Sequence, residues 1–326
     1  SSSSLRKNLA PGVKGREVFS WAMYDFANSG YTTVVITAVF NAYFVAEVAG
    51  RAPWATFAWT AALAVSYALI VLTAPVIGAY ADAHAAKKRL LLFTTIGCVV
   101  FTAGLALVGR GDLALGITLV ILSNFFFGTG ENLVAAFLPE IANGEAMGKV
   151  SGWGWSLGYL GGLIALGACL VYVAHAQGQG ATAAEFVPVT MLITAGIFAL
   201  ASLPTFLFLR ERAVPVAGAA DILRGAFARV AQTLGNARRY ADLWRFLVCL
   251  VFYQAGIQTV IALAAVYAQE AMGFTARDTI VLILVVNVTA AAGAFAFGHV
   301  QDRIGHVRTL VITLIGWLIA VVLAWM

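Results

Sequence analysis

Charge is scarce in this sequence. Lys and Arg number 20 and Asp and Glu 15 in 326 residues, 11% of the chain, while 61% is hydrophobic. Soluble domains carry about 25% charged residues, and so apolar a chain has too few charges to cover its core in water. That excludes a soluble enzyme, a nucleic-acid binder and a disordered chain. Cysteine is thin too: Cys98, Cys169 and Cys249 lie far apart in apolar runs and read as buried inert thiols. The four histidines (His84, His175, His299 and His306) are scattered and make no metal set. Phosphate loops, zinc-protease histidine pairs and nucleophile elbows are absent, which removes the main support for ATP-driven transport and intramembrane proteolysis. Neither enzyme activity, metal nor cofactor is expected.

What the sequence does have is long apolar runs. A membrane-crossing helix needs about 20 apolar residues. Runs of that length fall at roughly 18–46, 55–80, 89–109, 113–138, 152–174, 187–209, 245–268, 279–298 and 307–326. The breaks carry Gly, Pro or charge, as in Gly50-Arg51-Ala52-Pro53 and Gly109-Arg110-Gly111-Asp112. The runs far exceed a strand and lack strict alternation, which disfavours a β-barrel. The expected fold is an all-α polytopic membrane protein with about nine spans, embedded in a lipid bilayer.

Orientation follows from the basic residues. With the N-terminus inside, seventeen of them fall in inner segments and three (Arg51, Arg110 and Arg277) in outer ones. The net charge of +5 is therefore a topology signal and not a nucleic-acid footprint. The expectation is a cytoplasmic N-terminus in a bacterial inner membrane. The runs divide the chain into a cytoplasmic segment 1–17, a six-helix bundle 18–210, a linker 211–244 and a partial bundle 245–326. Within the linker, Ile222, Leu223, Phe227, Val230 and Leu234 recur at helical spacing between Arg224, Arg229 and Gln232. This reads as an amphipathic helix on the cytoplasmic face, or else as a solvated linker helix.

A short loop occurs twice. Gly78 is followed by Asp82 and then Lys87, Lys88 and Arg89; Gly298 is followed by Asp302 and then Arg303 and Arg308. Counting six spans per repeat, both loops follow the second span, the plan of a duplicated transporter. The glycine allows close helix approach. Asp beside the basic residues offers an ion pair at the inner rim, a gate that forms in one state and breaks in another. The alternative is that the basic residues only hold the loop inside.

These loops resemble the signature loop of the major facilitator superfamily. The first span, with Trp21, Tyr24, Asp25, Asn28, Ser29 and Tyr31, resembles the WALYDWANSAY-like opening of one branch. Leu138-Pro139-Glu140-Ile141-Ala142, the Gly-rich stretch from Val150 to Gly162, and Gly256, Gln258 and Thr259 fit as well. The chain is similar to the unknown major facilitator family and its autophagy-related vacuolar amino-acid effluxers. The resemblance implies two six-helix pseudo-repeats, twelve spans in all, moving substrate by alternating access. The apolar run ending at Met326 therefore leads us to expect three further spans, with the second half incomplete here.

Ionisable groups inside a span are costly and mark functional sites by default. Asp25 lies about two turns into the first span, with Asn28 and Thr32 following at helical spacing. It reads as a proton or substrate group, a gate partner of Arg16 or another rim cation, or a plainly satisfied polar side chain. Glu131 and Asn132 lie late in the fourth span, and Gln254 and Gln258 one turn apart on the seventh. The resemblance implies that these spans line the central cavity, although Glu131 could instead sit at the inner rim. Gly154, Gly158, Gly161 and Gly162 give the fifth span a smooth face, read first as packing and second as a rocking surface. The function expected is secondary, proton-coupled transport of a small solute by a monomer, with amino-acid or metabolite efflux favoured through the resemblance. The alternatives are a transport-inactive receptor or scaffold and a multidrug exporter.

Overall fold

The computed structural model describes residues 9–216 and 218–326; the side chains of a few further residues, Asp302 among them, fall outside the description. Among the described residues nine helices are long and apolar enough to cross a membrane. In order they are Gly15–Val48, Ala55–Ala83, Lys87–Leu107, Leu113–Ile141, Met147–Gly178, Ala183–Phe208, Ala241–Ile261, Arg277–Ala294 and His306–Trp325. The only pairing of β type among the described residues is an isolated bridge between Leu9 and Ala142. A backbone in lipid must satisfy its own N–H and C=O groups, and helices do so within one segment. The fold is the all-α polytopic one expected from the apolar runs.

Helices outrun those apolar runs at their ends. The first span begins at Gly15 and the seventh helix at Ala241, where Glu17, Asp242 and Arg245 stand in the first turns. Charged side chains at a span's end reach the rim, so the helix continues where hydropathy stops. Gly305 separates the eighth and ninth spans with φ 89° and ψ 160°, a conformation that only glycine adopts freely. In the linker, two helices replace the single one expected, Ala219–Arg224 and Ala226–Arg239, parted at Gly225.

Span one is irregular. It is α-helical to Gly30, winds as a π-helix over Tyr31–Ala38, bends at Val39, and turns π-helical again over Phe44–Val48. π-turns concentrate at functional sites. The π stretch touches the fifth, sixth, seventh and eighth spans, so it stands where the first six spans meet the last three. The fifth span also packs along the eighth.

Large side chains lock span one into its bundle. Tyr24 lies edge-on to Phe198 and Phe206 of span six, at 5.9 and 6.4 Å between ring centres. Tyr31 stacks on Phe127 of span four at 4.9 Å. The outward faces of the spans carry apolar side chains such as Val71, Phe93, Val171 and Leu200, exposed as lipid-facing residues must be.

Candidate functional site

The α-helical part of span one divides its polar residues between two neighbours. Asn28 is buried and its side-chain amide donates to Glu131 Oε1 of span four at 3.1 Å. Asp25, one turn earlier and half-buried, faces the glycine strip of span five instead. A methyl group added at Gly154 would stand 2.5 Å from Asp25 Oδ2, and one at Gly158 would stand 3.0 Å from Ser29 Oγ. At Gly161 it would run into the carbonyl of Phe26. The strip therefore brings backbone against backbone beside the acid of span one.

Glu131 and Asn132 are both exposed on span four. Thr32, half-buried, is the second residue of the π-helix, whose wider turn alters the 3.6-residue register that the sequence spacing assumes. Gln254 and Gln258 are exposed along span seven. The structure thus joins Asn28 to Glu131 and sets Asp25 one turn away. It records no hydrogen bond from either glutamine among the described residues.

The inner loop departs from its expected pairing. Lys87 opens span three, is buried, and forms its ion pair with Glu140, not with Asp82. Its ammonium also lies 5.3 Å from the Phe137 ring centre. Burial explains the choice: Lys87 is turned into the bundle, whereas Asp82 is exposed in the last turn of span two. Asp82 instead lines, with Gly78 and Arg229, a cavity of about 420 Å³ between span two and the helix Ala226–Arg239. The amide of Lys88 donates to Glu211 Oε2 at 2.7 Å, and Arg212 pairs with the buried Glu17 at 2.8 Å. Arg89 and its counterparts Arg303 and Arg308 in the second loop are exposed; the side chain of Asp302 and the surroundings of Gly298 lie outside the description.

A family model described as "Vacuole effluxer Atg22 like" matches residues 45–326. The chain belongs to this family. An uncharacterized MFS-type transporter, YxiO of Bacillus subtilis (strain 168), is 26% identical over 311 residues, covering 94% of this chain and 72% of the relative. A solved partially occluded, inward-open conformation of the xylose transporter XylE from E. coli matches with a TM-score of 0.63 at 14% identity. That match covers 89% of this chain and 74% of the other. At such identity the likeness concerns the fold alone, which is that of the major facilitators.

In this Atg22-like chain the aromatic residues of span one carry contacts that sequence reasoning did not assign. The indole of Trp21 donates to the Val134 carbonyl at 2.8 Å. The hydroxyl of Tyr24 bonds Thr95 Oγ1 at 2.8 Å, and that of Tyr31 bonds Ser123 Oγ at 2.7 Å. Trp21, Tyr24 and Tyr31 belong to the opening motif, so the signal was present; spacing alone could not say which neighbour each one meets. Asn287 of span eight was also missed as a contact residue. Its Oδ1 lies 3.5 Å from where a Gly162 methyl would stand, and Thr33 Oγ1 lies 2.7 Å from the same point. Among the described residues no three His, Cys, Asp or Glu side chains gather in a metal-binding group.

Proposed function

We propose that this MFS-type transporter moves a small solute by alternating access, coupled to protons, with amino-acid or related metabolite efflux as its task. The observation that carries this reading is the Asn28–Glu131 hydrogen bond at 3.1 Å with Asp25 one turn away. Two acids, Glu131 in that hydrogen bond and Asp25 one turn away beside span five, are costly in a bilayer unless they bind a cation, a proton or a polar solute. The seventh span contributes Gln254 and Gln258 from the opposite half, in a protein acting as a monomer with its N-terminus in the cytoplasm of a bacterial inner membrane. The loops at Asp82 and Asp302 close the inner side, and the glycine strip of span five lets the helices slide as the cavity changes sides. The linker 211–244 divides the six-helix bundle 18–210 from the second, 245–326.

The test is uptake of pooled amino acids into proteoliposomes holding the full-length protein, with and without a pH gradient. Transport is expected to follow the gradient and to lose that dependence in Asp25→Asn. Gradient-driven transport that survives Asp25→Asn unchanged removes Asp25 from proton coupling. A protein that moves no solute under any gradient favours the alternative of a transport-inactive receptor or scaffold of the same fold.

A further inference from the structure

The linker is tied to one face of the membrane at both ends. The amide of Val216 donates to the carbonyl of Ala83, the last residue of span two, at 2.9 Å. The helix Ala226–Arg239 is followed, after Tyr240 alone, by the seventh membrane helix at Ala241. Arg238 lies 4.9 Å over the ring of Trp244, inside that next helix. A 14-residue helix is thus held between the ends of two spans on that face.

Its surface suits the boundary of headgroups and water. Ala226 and Ala237 are buried, whereas Phe227, Val230 and Leu234, at helical spacing, remain 53%, 41% and 48% exposed, Val230 and Leu234 along the groove beside span two. No acidic residue occurs from Ile222 to Ala241, a stretch that carries Arg224, Arg229, Arg238 and Arg239. Arg229 is turned back to donate to the Ile222 carbonyl at 2.5 Å. The other three are exposed and have no carboxylate partner among the described residues.

An apolar strip alone seats in any bilayer. Three exposed guanidiniums without an acid select a negatively charged one, since each basic residue near such a surface is drawn to it. From this juxtaposition we infer that the helix Ala226–Arg239 docks on an anionic phospholipid leaflet. Phe227, Val230 and Leu234 enter the acyl boundary, and Arg224, Arg238 and Arg239 hold the phosphates. The linker between the two halves of the transporter is thereby a reader of leaflet charge.

The test is amide hydrogen exchange over residues 224–239 of the full-length protein in nanodiscs of phosphatidylcholine, with and without phosphatidylglycerol. Phosphatidylglycerol is expected to slow exchange by about fivefold per engaged arginine. The triple variant Arg224→Gln, Arg238→Gln, Arg239→Gln should lose this gain while matching the parent in phosphatidylcholine, which also shows that it is folded. Phe227→Ser should weaken protection in both kinds of disc. Equal exchange with and without phosphatidylglycerol overturns the proposal, as does a triple variant that keeps the full gain. Protection that rises with the number of chains per disc assigns the face to a second copy and overturns it too.

Discussion

Asn28 donates its side-chain amide to Glu131 Oε1 at 3.1 Å, so a buried residue of span one holds a carboxyl of span four. A hydrogen bond to an ionisable partner contributes about 1.5–3 kcal/mol. Removing the donor leaves Glu131 to a new proton, cation or water. Asn28→Ala is expected to lower transport at least about tenfold, in line with that energy, while the protein still purifies as a folded species. Initial rates in proteoliposomes measure it. A rate within twofold of the parent would remove Asn28 from the site.

The glycines of span five differ in what they touch, and substitutions should reflect it. Gly161 packs against the backbone of Phe26, which cannot rotate away. Gly161→Ala should therefore force the helices apart and cost about 1–3 kcal/mol, the range for overpacking. Gly167, on the same helix, has nothing within 4 Å of an added methyl. Gly167→Ala is expected to leave the thermal midpoint unchanged or raise it slightly, because alanine favours helix. Thermal unfolding in detergent separates the two, and equal midpoints for both variants would contradict the close approach.

How much could be read from sequence differs by element. The nine spans were legible because lipid enforces about 20 apolar residues per crossing and leaves charge to the ends. The glycine strip was legible because small residues at four-residue spacing share one face of a helix. The partner of Lys87 was not. Spacing placed Asp82 five residues away, whereas the bundle turns Lys87 inward to Glu140, fifty-three residues on. The division of Asp25 from Asn28 was hidden too, since two residues one turn apart meet different spans according to how the helix is rotated. The π-helix from Tyr31 shifted the register again, and hydropathy carries no mark of it.

The Lys87–Glu140 pair is buried, with side-chain exposures of 7% and 19%. Taking away one partner of such a pair leaves an unpaired charge and costs about 3–5 kcal/mol, whereas replacing both with apolar residues is often neutral. Lys87→Met and Glu140→Leu should each destabilise strongly, and the double variant should recover most of the loss. By contrast, Arg110 pairs with Glu47 at 2.6 Å from a largely exposed position. Arg110→Gln is expected to leave the unfolding midpoint within error. A double variant at Lys87 and Glu140 no better than its singles would mean that the two side chains do not act as a pair.

The junction of Gly162, Thr33 and Asn287 offers a test by suppression. It joins spans five, one and eight, where the first six spans meet the last three. A methyl group at Gly162 would lie 2.7 Å from Thr33 Oγ1, closer than two such atoms tolerate, and 3.5 Å from Asn287 Oδ1, an ordinary contact. Thr33 is thus the obstacle and Asn287 is not. Gly162→Ala is expected to slow transport by forcing span five away from span one inside the first bundle, beside its seam with span eight. Adding Thr33→Ala should restore the rate, because it removes the crowded oxygen and forfeits only a local bond to the Ser29 carbonyl. Adding Asn287→Ala should restore nothing. If the two second-site changes rescue transport equally, or if neither does, the crowding is not at Thr33 and the junction is not arranged as the geometry requires.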